Sequence, residues 1–285
     1  MIVDIHTHTF PGKIAARTVD KLQSMSHTHP FADGTTENLR ASMSEAGIDY
    51  SLVLPVATNA HQVPHVNDAS IWLNEASAAS GILSFGCMHP DYPEWKSELA
   101  RLAENGILGI KLHPVYQEVN FDDTRFLRIL DRCAELGLIV LTHAGRDVGF
   151  PGAADYVSPE RIANAVRQTD GVTLICAHMG GWRQWGEVER LLPGAGVYID
   201  SSFSFGSMVS NGDGYYQTPE SLKLLDETAF VNLVRAFGVE RVLFGTDSPW
   251  GAQAESLRRL RALPFSPEEL DAILGGNAAH LLKLK

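Results

Sequence analysis

The chain has 285 residues, of which 45% are hydrophobic and 20% are charged, and its formal net charge at pH 7 is −11. This composition is ordinary for one globular domain, here residues 1–285, with a core that needs no disulfide bonds. The acidic balance argues against a nucleic-acid-binding surface, which needs a basic stripe, and against binding to anionic membranes. We expect a small-molecule substrate as the partner, and the sequence leaves a homodimer open.

Two features of the sequence bear on where the protein works. No run approaches the roughly 18 apolar residues of a membrane span, and the N-terminal MIVDI has neither the basic region nor the long apolar stretch of a secretory signal. The cysteines, Cys87, Cys133 and Cys176, are odd in number and far apart. We therefore expect free, buried thiols and a cytoplasmic protein.

Short apolar runs alternate with amphipathic segments along the chain. Eight of these runs are predicted to be strands, because they are rich in Val, Ile and Leu, as parallel strands buried on both faces are. The predicted strands span residues 2–6, 50–54, 82–88, 107–113, 138–143, 172–178, 196–200 and 241–247. Helices are predicted between them, for example over 122–136, over 159–169 after the cap Ser158, and from Ser266 onward.

Eight strand–helix repeats are typical of an α/β barrel or of a doubly wound sheet. A dinucleotide-binding sheet would have a glycine-rich turn after its first strand, whereas this first strand ends in His6-Thr7-His8. The sequence therefore predicts a single (β/α)8 TIM barrel with its active site at the C-terminal ends of the strands. Residues 9–34 and 201–228 form long connections, and we expect them to be pocket walls or lids, with plain surface excursions as the alternative.

Residue types that bind metals stand at the ends of the predicted strands. His6 and His8 end the first strand, His143 ends the fifth, His178 the sixth and Asp247 the eighth. In a barrel these ends converge on one face, and two histidines that are two residues apart on a strand point the same way. Imidazole and carboxylate ligands suit Zn2+, with Fe2+, Mn2+ or Co2+ as substitutes. The pattern predicts a metal site at that face.

A second His-x-His motif, His27-Thr28-His29, lies in a different context. It follows a polar segment rather than an apolar strand, and Pro30 comes next. A motif supports metal binding only in the right structural context. We therefore interpret this motif as part of a loop.

The strand-end residues lie within six stretches that resemble the amidohydrolase superfamily, specifically its amidohydrolase-related group. The stretches are DIHTH (4–8), GIKLHP (109–114), THAG (142–145), AHMGG (177–181), GTDSPW (245–250) and GNAA (276–279). They occur in the family's order and span nearly the whole chain. The resemblance implies a TIM barrel and metal-dependent chemistry, and it leaves the subfamily and the substrate open.

The resemblance also implies roles for the individual residues. In decarboxylase-like members of the group, His6, His8, His143 and Asp247 would ligate one zinc ion, and His178 would contact water on that ion. In hydrolytic members, the aspartate of the eighth strand accepts a proton from that water. One Zn2+ is therefore the expected cofactor.

Three further residues are candidates for binding a substrate. Lys111 and His113 face the same side of the fourth predicted strand, and Arg146 follows the fifth. Binuclear relatives bridge two metal ions through a carboxylated lysine on the fourth strand, so a second ion and a modified Lys111 stay open. A buried lysine can instead pair with a substrate carboxylate. For Arg146, an exposed surface position is the alternative.

Two reactions fit this site. A metal ion lowers the pKa of bound water from 15.7 to about 7, which would serve a hydrolase of a lactone, amide or similar small carbonyl substrate. His178 would then act as general base, and Asp247 or His178 would protonate the leaving group. The alternative is a zinc-dependent non-oxidative decarboxylase of a small unsaturated or aromatic carboxylic acid. The sequence favours the hydrolase, because that reaction needs nothing beyond the residues already identified.

A binding protein with a structural zinc ion is a third hypothesis. Structural zinc sites use four closely spaced ligands, often cysteines. Here the predicted ligands come from strands that are far apart in sequence. An enzyme is therefore favoured over a binding protein.

Overall fold

The computed structural model describes residues 1–284, which group into two compact units. The first unit consists of Met1–Leu52, Val148–Pro151 and the chain from Asp200 onward. The second unit consists of Val53–Asp147 and Gly152–Ile199. Along the chain, strands alternate with helices, as the apolar pattern predicts.

Strands occur at all eight predicted places. They are β1 (Val3–Thr7), β2 (Tyr50–Val53), β3 (Ile82–Ser84), β4 (Gly86–Cys87), β5 (Gly109–Leu112), β6 (Ile139–Thr142), β7 (Leu174–Cys176), β8 (Tyr198–Asp200) and β9 (Val242–Leu243). The predicted strand 82–88 is divided into β3 and β4. Phe85 separates the two strands, and in β4 the amide of Cys87 donates to the side chain of Asn67 at 2.7 Å.

The helices fill the segments between the strands. They are α1 (Gly12–Ser26), α2 (Thr36–Ala46), α3 (Val63–Glu75), α4 (Ser77–Ser80), α5 (Trp95–Glu104), α6 (Pro114–Gln117), α7 (Thr124–Leu136), α8 (Pro159–Gln168), α9 (Trp185–Leu191), α10 (Pro219–Leu222), α11 (Glu227–Phe237), α12 (Gln253–Arg261), α13 (Pro267–Asp271) and α14 (Asn277–Leu282). The predicted helix starts are confirmed, since Ser158 and Ser266 accept hydrogen bonds from amides of the first turns of α8 and α13. Ser266 also forms a capping box with Glu269.

In the second unit, strands β4 to β8 lie side by side in chain order. The parallel register aligns Leu112 with Thr142, and Thr142 with Cys176. The C-terminal ends of β5, β6 and β7 therefore lie level at one edge. This register explains why side chains that follow different strands, such as His113 and His143, come close together.

In the first unit, β1 lies beside β2 and also beside the segment that follows β9. The amide of Ile5 donates to the carbonyl of Phe244 at 3.0 Å, and the amide of Asp247 donates to the carbonyl of His6 at 2.8 Å. All five residues of β1 are buried. These backbone bonds bring the end of β1 against the segment that contains Asp247.

The two long connections are hydrogen-bonded to each other. Residues 9–34 contain α1, residues 201–228 contain α10, and Thr28 forms an antiparallel bridge with Ser210. Nδ1 of His27 lies 2.6 Å from Oδ2 of Asp213. His27 and His29 lie outside the helices and strands, as interpreted from the sequence. The function of these connections as walls or lids stays a prediction.

The structure bears on two further sequence predictions. The three cysteines, Cys87, Cys133 and Cys176, are buried and form no disulfide bonds, which confirms the expected thiols. Within residues 1–284, no helix combines the length and the apolar character that crossing a membrane requires.

Candidate metal centre

His6, His8 and Asp247 come together in the first unit. Oδ1 of Asp247 lies 3.1 Å from Nε2 of His8 and 3.4 Å from Nε2 of His6. One ligand atom from each residue lies within 4.8 Å of the other two. His6 is buried and His8 is partly exposed. Three of the four ligands predicted from the sequence are thus neighbours in one compact unit.

The orientation of the two imidazole rings suits a shared ion. The ring planes of His6 and His8 are inclined by 72°, with their centroids 5.1 Å apart. A histidine nitrogen binds a metal along its lone pair in the ring plane. Inclined rings can direct two lone pairs at one point beside the carboxylate. Two imidazoles and a carboxylate match the donor set of Zn2+ and similar divalent ions, so these residues fit a metal.

The other nitrogen of His6 faces a buried carboxylate that the sequence analysis did not select. Nδ1 of His6 lies 2.9 Å from Oδ2 of Asp200 and 2.9 Å from Oγ of Ser202. Asp200 is the last residue of β8, so the strand-end rule that found His6 would also have found Asp200. Both neighbours of Nδ1 are completely buried.

A buried hydrogen-bond network fixes the backbone next to Asp247. The carboxylate of Asp4 accepts hydrogen bonds from the amide and hydroxyl of Thr246, at 3.0 and 2.6 Å, and from Nε2 of Gln253 at 2.8 Å. Burial raises the pKa of Asp4 to about 6, although these hydrogen bonds act in the opposite direction. Asp247 itself has a φ of 63°, in the left-handed region that is uncommon for non-glycine residues.

In the second unit, His143 and His178 form a close pair. Nδ1 of His143 lies 3.1 Å from Nε2 of His178, and the two ring planes are inclined by 64°. Nε2 of His143 lies 3.1 Å from the carbonyl oxygen of Arg146, which only accepts hydrogen bonds. His143 therefore has its proton on Nε2 and presents the lone pair of Nδ1, on the side of His178.

His113, His143 and Asp147 form another cluster of ligand-type residues in the second unit. Their ligand atoms also lie within 4.8 Å of one another. However, the rings of His113 and His143 are stacked, with planes 13° apart and centroids separated by 4.3 Å. Two stacked, nearly parallel rings cannot both direct in-plane lone pairs at one ion. This cluster therefore does not have the geometry of a metal site shared by both histidines.

Burial and titratable neighbours affect the protonation of His143. Burial, together with nearby His113, His178 and Lys111, holds the pKa of His143 well below its usual value, so the ring is neutral at neutral pH. The side chain of Lys111 is only 1% exposed. Neutral imidazole is the form that binds metals, and a buried ammonium group suits a substrate anion.

Arg146 contributes to the site through its backbone rather than its side chain. Its guanidinium group is 63% exposed, and Nε lies 3.9 Å from a carboxylate oxygen of Asp155. Its carbonyl, by contrast, accepts the hydrogen bond from His143. Asp147, the next residue, is buried and was missed by the sequence analysis because it lies in a loop after β6. Substrate binding by the Arg146 side chain stays a prediction.

An α/β chain with candidate metal-ligand residues near the ends of parallel strands is typical of metal-dependent enzymes. The family model for amidohydrolases matches residues 3–284, and the chain belongs to this family. The resemblance identified from the sequence motifs is thereby confirmed. Among curated proteins, no sequence matches the chain significantly.

Solved structures with the same fold have low sequence identity. An uncharacterized TIM-barrel protein from Bordetella bronchiseptica is 18% identical, with a TM-score of 0.71 over 99% of this chain and 98% of that one. The 5-carboxyvanillate decarboxylase of Sphingomonas paucimobilis is 15% identical, with a TM-score of 0.66 over 100% and 99%. A probable 2-pyrone-4,6-dicarboxylic acid hydrolase of Acinetobacter baumannii, with citric acid bound, is 15% identical, with a TM-score of 0.63 over 99% of this chain and 99% of that one. These likenesses confirm the predicted fold class, α/β of the TIM-barrel type.

Proposed function

We propose that the chain is a metal-dependent decarboxylase of a small aromatic or unsaturated carboxylic acid. The observation on which this rests is the convergence of His6 Nε2, His8 Nε2 and Asp247 Oδ1. The 5-carboxyvanillate decarboxylase among the similar structures supports this reaction. The comparisons thus favour the reaction that the sequence left as the alternative over the expected hydrolase.

His6, His8 and Asp247 would hold the ion in this proposal, and His143 would be the fourth ligand predicted from the sequence. Zn2+ and Mn2+ are both suitable for such a site. A structurally similar dihydroxybenzoic acid decarboxylase from a Polaromonas species, 13% identical with a TM-score of 0.65, has bound manganese. When bound, such an ion acts as a Lewis acid that polarises an oxygen of the substrate.

Lys111 and His178 would perform the remaining chemistry. The buried ammonium group of Lys111 would bind the substrate carboxylate as a point charge. The bond between the carboxylate and its carbon then breaks, CO2 leaves, and the electron pair stays on that carbon. His178 would donate a proton to this carbon and recover a proton from water, which balances the reaction.

The experiment is a turnover assay with loaded and metal-free protein. The protein is incubated with a panel of hydroxybenzoates and enoic acids, and CO2 release is measured together with the loss of ultraviolet absorbance. We expect turnover after loading with Zn2+ or Mn2+, none after chelation, and none in a metal-treated Asp247→Ala control. A loaded protein that releases no CO2 from any acid in the panel would contradict the proposal.

A hydrolase is the second candidate. The probable 2-pyrone-4,6-dicarboxylic acid hydrolase among the similar structures supports this candidate, and the sequence analysis favoured a hydrolase of a lactone, amide or similar carbonyl substrate. The same residues would serve it, because the buried Lys111 suits a carboxylate in either reaction. Proton release from a panel of lactones, without CO2 release from the acids, would select this candidate.

A further inference from the structure

Two buried side chains near the candidate metal centre, those of Asp200 and Ser202, contact Nδ1 of His6. We propose that Asp200, assisted by Ser202, is a positioning residue that holds His6 in the one orientation and tautomer able to bind the ion. This inference rests on the metal site of the proposed function, although not on which reaction occurs there. Asp200 and Ser202 are completely buried and His6 is 1% exposed, so water does not compete for these contacts.

The hydrogen bonds define which atom of each group donates. The amide of Ser202 donates to Oδ1 of Asp200 at 3.0 Å, and the Ser202 hydroxyl donates to the same oxygen. The hydroxyl proton is therefore directed away from His6. Oγ of Ser202 and Oδ2 of Asp200 both act as acceptors for Nδ1 of His6, each at 2.9 Å.

Two acceptors on one ring nitrogen place the proton of His6 on Nδ1. The lone pair of Nε2 then faces Oδ1 of Asp247 at 3.4 Å. A lone pair and a carboxylate oxygen repel each other unless a positive charge lies near both, and a divalent ion supplies that charge. A carboxylate on the far nitrogen of a metal-binding histidine fixes the ring and increases its basicity toward the metal.

The first test measures ion affinity by competition with a chelator, using Zn2+ and Mn2+ as probes and no substrate. The isosteric variant Asp200→Asn keeps an acceptor oxygen for Nδ1 but loses the charge, so we expect affinity to fall by about tenfold, and by up to about a hundredfold in Asp200→Ala. Glu98→Gln is the matched control. Glu98 is also a buried carboxylate, bonded to Asn67 and Arg101 in the second unit, and its variant should bind ions with wild-type affinity.

The second measurement does not depend on a bound ion. In NMR spectra of metal-free protein with isotope-labelled histidine, we expect a downfield resonance from the Nδ1–H proton of His6. This resonance should disappear in His6→Gln and in Asp200→Ala, but not in Glu98→Gln. A general loss of structure would broaden many resonances, whereas a positioning role affects this one.

Four outcomes would overturn the proposal. Wild-type ion affinity in Asp200→Asn would show that the charge of the carboxylate does not affect metal binding by His6. A loss in Asp200→Asn as large as that in His6→Ala would make Asp200 a ligand itself. Wild-type protein that lacks the resonance, or that binds neither ion, would also overturn it. If the turnover assay fails but these variants behave as expected, only the proposed reaction is wrong.

Discussion

The two units each gather ligand-type side chains, but they arrange them differently. In the first unit, His6 and His8 are inclined by 72° beside Asp247. In the second unit, His113 and His143 are stacked with planes 13° apart beside Asp147. The two groups have the same composition of two imidazoles and one carboxylate. Only the first has ring planes whose lone pairs can meet at one ion.

This difference teaches that composition and proximity alone do not define a metal site. The carboxylate of Asp200 lies beside Nδ1 of His6, and the carbonyl of Arg146 lies beside Nε2 of His143, so each of these groups determines which nitrogen of its histidine has the proton. The ring of His113 stacks on that of His143, and the ring centroid of Tyr116 lies 3.9 Å from that of His113. These three rings pack together as an aromatic cluster. Ring orientation therefore separates the candidate ligands from their neighbours.

The largest effect is expected from removing a ligand of the first unit. His6→Ala or Asp247→Ala should reduce divalent-ion affinity by more than about a hundredfold and should abolish turnover. This loss is larger than the 10–100-fold loss expected when a residue that only contacts a metal ligand is replaced. Elemental analysis and chelator competition on the purified variants measure this loss. A variant that keeps a full equivalent of tightly bound metal would remove that residue from the ligand set.

The next effect concerns the proton-transfer role of His178. His178→Ala should lower kcat by about 10²–10⁴-fold, the usual contribution of a general acid or base. The bound metal should remain, because His178 is not one of the proposed ligands. Metal content and steady-state kinetics measured on the same preparation test this. A His178→Ala protein purified without metal would contradict the division of roles.

A small effect is expected at the stacked histidine. His113→Phe keeps a ring that can stack on His143, so metal affinity should stay within about twofold, far from the 10–100-fold cost of disturbing a metal-site contact. His113→Gln serves as the second variant if the phenylalanine prevents folding. A loss of affinity comparable to that of His6→Ala would show that the second cluster binds the ion after all.

The smallest effect on the site is expected from changing the N-cap of α11, which is not one of the candidate site residues. The side chain of Asp226 accepts a hydrogen bond from the amide of Ala229 at the start of α11. Asp226→Ala should lower the free energy of unfolding by about 1 kcal/mol and leave metal content unchanged. Denaturant unfolding and elemental analysis test this together. If metal content falls with stability, metal loss in the other variants would not report on ligation.

Much of the fold is predictable because burial dictates the sequence pattern. Strands buried on both faces require continuous apolar runs, so all eight predicted strands are found near their expected positions. The division of 82–88 into β3 and β4 is not predictable in this way. An apolar run indicates that a segment is buried, but it contains no signal for the residue at which the strand is interrupted.

The site is predictable where its residues end strands. His6, His8 and Asp247 were found at the ends of predicted strands, although in the structure His6 lies within β1 and Asp247 follows β9. Asp200 ends β8 and was overlooked. Asp147 lies in a loop, where no periodic pattern marks it. The angle between two imidazole planes depends on packing around each ring, and sequence spacing contains no information about it. This is why the sequence could not separate His113 from the candidate ligands by geometry.

The most direct test of the metal centre is anomalous X-ray diffraction from crystals of the protein loaded with Zn2+ or Mn2+. The predicted result is one strong anomalous peak about 2.0–2.2 Å from Nε2 of His6, Nε2 of His8 and a carboxylate oxygen of Asp247. A peak bound instead by His113 and Asp147, or an Asp247 carboxylate with no ion near it in the loaded crystal, would contradict the account.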